Sequence, residues 1–192
     1  ALKLCPNLLL LHGSYRDYSS YSKRVMKIIR EYTPAVQQIS VDECFMDITD
    51  LDRTGLDTAF ELHRRIQEEV GLPCSLGVAT NKLIAKIASD QGKSKHQGND
   101  YPRSVLEVKP GDEAKFLAPM DVRALWGIGP KTSERLHSLG IHTLGRLAEL
   151  SPEQAFQIFG NYGMELVMRA RGIDDSEVYE GGDAKSVSQE TT

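Results

Sequence analysis

The chain has 192 residues, and its 23 Lys and Arg against 27 Asp and Glu leave a formal net charge of −4. With 40% hydrophobic and 26% charged residues, the composition is typical of a globular protein and excludes a disordered or fibrous one. No apolar run approaches the roughly 20 residues that a bilayer span needs, so no membrane partner is expected. The three cysteines form no Cys-x-x-Cys pair, which favours free thiols in a reducing cytoplasm.

The first half of the sequence alternates between strand and helix patterns. A buried strand is predicted at residues 8–12, a helix at 15–32, a strand or hairpin at 36–48, and an amphipathic helix at 57–70. A strand at 74–79, a helix at 81–89, a loop at 91–103, a strand at 105–108 and a short helix at 112–117 follow.

The second half changes character. Between residues 121 and 172 only helical signals occur, interrupted by glycines and prolines, which predicts a small all-helical domain. Residues 174–192 contain six acids and one lysine and read as a linker or tail. Residues 80–98, in contrast, contain four lysines and one aspartate. The overall acidity therefore does not exclude a nucleic-acid partner, because the charges are unevenly distributed.

Asp42 and Glu43 are adjacent acids within an otherwise largely apolar segment, residues 39–47. Strand alternation would place them on opposite faces. Unpaired buried carboxylates are costly, so acids inside a strand need a cation or a solvated cleft. Magnesium prefers carboxylate oxygens and would link the pair to phosphate chemistry. An exposed edge strand with both acids in water is the alternative.

Lys82, Lys86 and Asp90 recur at intervals of four residues, with Lys93 just beyond, so they share one face of a predicted helix. This stripe could contact phosphates. A solvated face with a Lys86–Asp90 ion pair explains the same spacing.

Residues 125–147 contain the most specific motif, Leu-Trp-Gly-Ile-Gly-Pro-Lys-Thr followed by regularly spaced leucines. It resembles a helix-hairpin-helix, in which a tight glycine turn lets the backbone approach DNA phosphates without reading sequence. An ordinary helical hairpin is the alternative. The residues expected to contact DNA are Gly127, Ile128, Gly129, Lys131 and Thr132.

Several neighbouring positions are given structural roles. Trp126 and Ile128 are expected to pack in the interior, Gly140 to end the second helix of the motif, and Thr143 to cap a third. The five histidines show no metal-binding spacing and are read as structural or exposed.

Three segments in the same order carry a family resemblance: residues 40–47 (SVDECFMD), residues 73–90 (PCSLGVATNKLIAKIASD) and the helix-hairpin-helix. Together they resemble a Y-family DNA polymerase of the DinB or polymerase IV branch. The resemblance implies an α+β palm, a mixed sheet with helices on one face, followed by a small all-α helix-hairpin-helix thumb. It divides the chain into a partial palm (1–98), a connecting segment (99–120), the thumb (121–173) and a linker toward a little-finger domain (174–192).

The resemblance also implies an activity, template-directed translesion DNA synthesis in DNA damage repair. Asp42 and Glu43 would be catalytic carboxylates that hold two magnesium ions, and Lys93 would contact the triphosphate of the incoming nucleotide. The family usually has Pro after this lysine, where this chain has Ser94. The implied partners are primer-template DNA and deoxynucleoside triphosphates, and a sliding clamp bound through regions outside this chain is left open.

Family members carry a further metal-binding Asp and the fingers before this region, and a little finger after it. We therefore expect an internal fragment that cannot polymerise DNA by itself. One alternative is a catalytically dead relative that serves as a DNA-binding or scaffold subunit in damage tolerance. Another is a helix-hairpin-helix module of a repair nuclease or ligase with an unrelated α/β partner.

Overall fold

The computed structural model describes residues 3–9, 13–94 and 104–180, in which helices predominate over short strands. The helices are α1 (Tyr15–Arg30), α2 (Gly55–Val70), α3 (Lys82–Ser94), α4 (Glu113–Leu117), α5 (Pro130–Ser138), α6 (Leu144–Ala148), α7 (Pro152–Phe159) and α8 (Gly163–Ala170). The strands are β1 (Val36–Gln38), β2 (Cys44–Met46), β3 (Leu76–Val78) and β4 (Val105–Glu107), and 3-10 turns occupy Val122–Ala124 and Gly160–Tyr162. None of the helices in these ranges is long and apolar enough to cross a membrane.

Helices α1 and α2 begin at caps that lie next to them in the sequence. Ser14 accepts a hydrogen bond from the amide of Asp17, and Thr54 accepts one from the amide of Asp57. Such caps satisfy backbone donors that have no partner within the first turn. Both predicted helices are confirmed, although α1 ends at Arg30 and α2 starts two residues before residue 57.

The strands form two separate two-stranded ladders of opposite type. β1 and β2 are antiparallel, with Val36 opposite Met46, so residues 36–48 form a hairpin. β3 and β4 are parallel, with Leu76 opposite Val105, and α3 lies in the connection that parallel strands require. The strands predicted at residues 74–79 and 105–108 are confirmed, and the fold is of the α+β type.

Two local predictions differ from the structure. Leu8 and Leu9 are not in a strand, and Leu9 is 78% exposed, while residues 10–12 of that predicted strand lie outside the described residues. The loop predicted at residues 91–103 is helical as far as Ser94, and residues 95–103 lie outside the description. α3 extends past the predicted end at residue 89 despite the weak helix propensity of Gly92, which is buried in its last turn.

Two apolar clusters stabilise the described part of the chain. The smaller one joins α1, α2 and β1 through residues such as Ile29, Val36 and Leu62. The larger one joins α4–α8 and also takes in the inner face of α3, including Ile84. The helical region predicted between residues 121 and 172 is confirmed, and α3 is packed against it although α3 precedes it by almost thirty residues. The domain boundaries stay a prediction.

Candidate active-site cleft and nucleic-acid interface

Asp42 and Glu43 lie in the turn between β1 and β2, not inside a strand as their apolar surroundings suggested. The Ser40 hydroxyl organises this turn: it donates to Asp42 Oδ1 over 2.6 Å and accepts from the amides of Asp42 (3.3 Å) and Glu43 (3.1 Å). A Ser two residues before an Asp is a turn signal that the strand interpretation overlooked. Because Asp42 is exposed, its ionised carboxylate bears no large desolvation cost.

Lys86 connects α3 to this turn. Its Nζ lies 3.0 Å from Glu43 Oε1 and 2.9 Å from Asp90 Oδ2. The Lys86–Asp90 pair of the solvated-face alternative is present, and Lys86 also contacts Glu43, the hairpin acid 43 residues earlier in the chain. Partial burial opposes the charge on Lys86, but hydrogen bonds to Asp90 and Glu43 outweigh it and raise the pKa of the ammonium group.

The other two lysines of the stripe differ in availability. Lys82 Nζ donates to Gln37 Oε1 (2.9 Å) and to the carbonyl of Glu177 (2.6 Å), and it also lies over the rings of Phe45 and Tyr179. The ammonium group of Lys82 is therefore already engaged by partners within the fold. Lys93 Nζ lies 3.6 Å from Asp90 Oδ1, with 44% of its side chain exposed, so it remains accessible to a ligand.

These groups face one open cleft of about 860 Å³. Asp42, Glu43, Lys86 and Lys93 all line it, and its floor is apolar, formed by β2, β3 and the inner residues of α1 and α2. Gly77 allows α3 to approach β3 closely, because a Cβ at this position would lie 1.9 Å from the carbonyl oxygen of Ala85. The close approach places the lysines of α3 beside the hairpin acids.

Residues 174–178, which follow α8, form the remaining wall of the cleft, and Gly172 and Asp174 hold the first turn of α3. Asp174 Oδ2 accepts from the amide of Leu83 over 3.1 Å, and Asn81 Nδ2 donates to the carbonyl of Gly172 over 2.8 Å. Asn81 Oδ1 itself accepts from the amide of Ile84. No local signal predicts this cap, since Asp174 lies 91 residues beyond Leu83.

The glycine turn of the helix-hairpin-helix motif is formed as predicted, but its first helix is reduced to the single 3-10 turn Val122–Ala124. Gly127 has a φ of +101°, which only glycine adopts readily, and Pro130 opens α5. The side chain of Ile128 is buried, whereas Gly127, Gly129 and Lys131 are exposed. No side chain caps the start of α5, so amides at this turn are left for another acceptor.

The structural roles predicted around the motif are mostly confirmed. Gly140 ends α5 with a φ of +77°, and Thr143 accepts from the amide of Arg146 at the start of α6. Trp126 was expected to pack in the interior, and that is wrong: it is 54% exposed and lines the cleft. Its apolar neighbours Leu125 and Ile128 fill the available core positions, which leaves the indole at the surface.

Potential metal ligands in the described ranges do not converge. No group of three or more His, Cys, Asp or Glu side chains is arranged there to hold an ion. The rings of His137 and His142 lie 4.9 Å apart, and His137 Nε2 lies 3.2 Å from Asp121 Oδ2, while His12 and His96 lie outside the description. In these ranges, Asp42 and Glu43 are thus two adjacent carboxylates with no third potential metal ligand grouped with them.

Comparison with known families matches two parts of the sequence. The impB/mucB/samB family model covers residues 1–90, and the model for the IMS family HHH motif covers residues 110–141. The first match includes both hairpin acids, and the second includes the glycine turn.

Curated relatives extend the likeness to the whole chain. DNA polymerase IV of Dehalococcoides mccartyi strain BAV1 is 37% identical over 100% of this chain, and that of Lactococcus lactis subsp. cremoris MG1363 is 36% identical over the same share. The chain covers 48% and 51% of these two proteins, so it spans about half the length of the relatives it matches.

Solved structures show the same fold. The crystal structure of DinB from Sulfolobus solfataricus matches with a TM-score of 0.80 and 24% identity, over 92% of this chain and 51% of that one. A Y-family DNA polymerase chimera, Dbh-Dpo4(243-245)-Dbh, matches with a TM-score of 0.81 and 23% identity, over 94% and 52%. The chain therefore belongs to the impB/mucB/samB family, with the fold of Y-family DNA polymerases of the DinB type.

Proposed function

We propose that this chain forms the palm and thumb of a translesion DNA polymerase, which joins deoxynucleotides to a primer in the cleft described above. The observation that carries the proposal is the placement of Asp42 and Glu43 opposite Lys86 and Lys93 in one open cleft. Paired carboxylates beside cations suit a metal-bound polyphosphate. The names of the relatives, DNA polymerase IV, support the same activity.

Two magnesium ions are the proposed cofactor. Both hairpin acids offer the hard carboxylate oxygens that magnesium prefers, and water and substrate phosphates commonly complete its six ligands. Asp42 is exposed, and Glu43 has 40% of its side chain exposed, so both can reach an ion. When bound, the ions would lower the pKa of the primer 3′ hydroxyl and stabilise charge on the phosphates. The two carboxylates therefore fit part of a magnesium ligand set.

The residues of α3 have separate proposed roles. Lys93, which is partly exposed and held only loosely by Asp90, would bind the triphosphate of the incoming nucleotide. Lys86 would hold the Glu43 carboxylate in place before substrate arrives, since its ammonium group already contacts that carboxylate. Lys82 is not assigned a phosphate, because ligands within the fold occupy its Nζ.

The thumb turn would grip the DNA backbone. Exposed amides around Gly127 and Gly129, together with the ammonium group of Lys131 and the hydroxyl of Thr132, suit phosphate oxygens. Ile128 would support the turn from inside, because its side chain is buried in the thumb cluster. Contacts of this kind position a duplex without selecting its sequence.

The proposed location of the protein is the cytoplasm, where it would act in the tolerance of DNA damage. All three cysteines of the chain are free, and none of them needs an oxidising compartment. A sliding clamp is a further proposed partner of the parent protein, to be bound through regions outside this chain.

Primer extension by the full-length parent protein tests the function. We expect Asp42→Ala and Glu43→Ala each to abolish extension on intact template and on template with an abasic site, with duplex binding retained. Asp50→Ala is the matched control, because Asp50 is an exposed acid of the same region that does not line the cleft. Extension that survives both substitutions, or that is absent from the wild type, would favour the scaffold alternative.

We also propose that the chain alone does not extend a primer. Its described residues contribute two adjacent carboxylates and no third ligand group, which is a small set for two ions. Incubating the purified chain with primer-template, magnesium and nucleotides is a direct test, and any extension product above a protein-free control would contradict the proposal.

A further inference from the structure

A guanidinium and a phenol are held against the exposed side of the thumb turn. Arg169 Nη1 of α8 donates to Tyr162 Oη over 3.1 Å. A Cβ built on Gly127 would lie 3.5 Å from each of these two atoms, so both groups border the glycine that gives the turn its shape. The sequence offered no hint of this arrangement, since Tyr162 and Arg169 follow Gly127 by more than thirty residues.

The charge on Arg169 is not compensated within the described part of the chain. Its hydrogen-bond partner is the hydroxyl of Tyr162, and no described carboxylate lies within ion-pair distance. Arg146, in contrast, contacts Glu149 over 2.5 Å on the surface of α6. Arg169 is nevertheless partly buried, beside a turn whose amides are also donors. Donors that meet without an acceptor between them indicate an anionic partner.

The chemistry of the pair suits a phosphate. A guanidinium has five N–H donors in a planar fork, so one bond to Tyr162 leaves others for phosphate oxygens. The Tyr162 hydroxyl accepts from Arg169 and therefore keeps its own proton for donation. The amides of the adjacent glycine turn are donors as well, and such a convergent set of donors suits the several anionic oxygens of a backbone phosphate.

We propose that Arg169, positioned by Tyr162, is an additional contact to a backbone phosphate of duplex DNA, next to the helix-hairpin-helix turn. The proposal rests on the proposed function, because it assigns the partner of that same surface. It adds one cation from α8 to contacts that otherwise come from the turn and the start of α5. The grip on DNA would then depend on how α8 is held against the turn.

Salt-dependent binding of a labelled primer-template duplex to the full-length parent tests the assignment. Loss of one phosphate contact lowers the slope of log K against log salt by about 0.9. We expect Arg169→Gln to show this decrease and a loss of affinity of about threefold to thirtyfold near 0.1 M salt. Tyr162→Phe should cause a smaller loss, because the guanidinium remains but is no longer held.

Arg146→Gln is the matched control, since it removes an exposed arginine that already has a carboxylate partner. It should leave both slope and affinity unchanged, and circular dichroism should show all variants folded. A wild-type slope in Arg169→Gln would overturn the inference. Weaker binding of a deoxynucleoside triphosphate with unchanged duplex binding would also overturn it, because the partner would be wrong. Absence of salt-dependent duplex binding in the wild type would refute the proposed function instead.

Discussion

The cap that Asp174 places on the start of α3 can be tested by a single substitution. In Asp174→Ala, the amide of Leu83 loses its acceptor at 3.1 Å, and Ser176 loses the carboxylate oxygen that its hydroxyl contacts at 2.7 Å. We expect lower stability rather than a changed fold, because the buried face of α3 remains packed in the larger apolar cluster.

The magnitude follows from two contributions. Removing a side-chain cap typically costs about 1 kcal/mol of unfolding free energy. Removing a carboxylate from the positive end of a helix costs a further 0.3–1 kcal/mol, roughly. The sum is about 1.5 kcal/mol, which corresponds to a fall in Tm of about 3–6 °C for a chain of this size. Asp174→Asn keeps an acceptor oxygen but loses the charge, so it should cost only about 0.5 kcal/mol.

Urea unfolding followed by circular dichroism gives the free energy of unfolding and its slope for each variant. Asp175→Ala is the control, because Asp175 is exposed and has no hydrogen bond or ion pair with the described residues. If Asp174→Ala were within about 0.5 kcal/mol of this control, the cap would contribute little and the reasoning would be refuted.

Three further outcomes are expected. Gly77→Ala should destabilise the chain by about 3 kcal/mol or more in urea unfolding, since the added methyl group meets a main-chain carbonyl of α3 that cannot rotate away; an unchanged midpoint would contradict this. Burial raises the pKa of Cys44 and Cys74 to about 11, so at pH 8 mass spectrometry should detect slow alkylation of both thiols in the native chain and rapid alkylation in urea. Hydrogen bonds from the Thr80 hydroxyl and from main-chain amides lower the pKa of Glu113 in the folded chain. The ionised Glu113 therefore adds to the free energy of unfolding above its unfolded pKa, and this stabilisation is lost as pH falls through the lower folded pKa. Thr80→Val should therefore reduce the loss of stability between about pH 5 and pH 3, and an identical pH profile would contradict the assignment.

Local signals allowed much of the fold to be predicted. Ser14 and Thr54 stand directly before α1 and α2 and cap them, and the apolar residues of both helices recur on one face. The turn at Gly127 was also predictable, because the glycine spacing and the following Pro130 favour the same backbone conformation at neighbouring positions. Each of these features is decided by residues within one or two turns of each other.

The details of the cleft depend on residues far apart in the sequence. The contact between Lys86 and Glu43 joins positions separated by 43 residues, and only the fold brings them together. Trp126 is apolar and was expected in the core, but Leu125 and Ile128 fill the core positions of this segment, so the indole lies at the surface. The hairpin was one of two alternatives predicted for residues 36–48, but the apolar residues around Asp42 favoured a place inside a strand over the turn that carries it.

The cap on α3 also affects the timing of folding during synthesis. Leu83 emerges from the ribosome 91 residues before Asp174, which at about 5–20 residues per second is a delay of roughly 5–20 s. During this interval Asn81 alone can cap the first turn of α3, through the amide of Ile84. The first turn of α3, the helix that carries the lysines of the cleft, is thus fully capped only after the chain beyond α8 has been synthesised. In a nascent chain that stops before residue 174, we expect this end of α3 to fray.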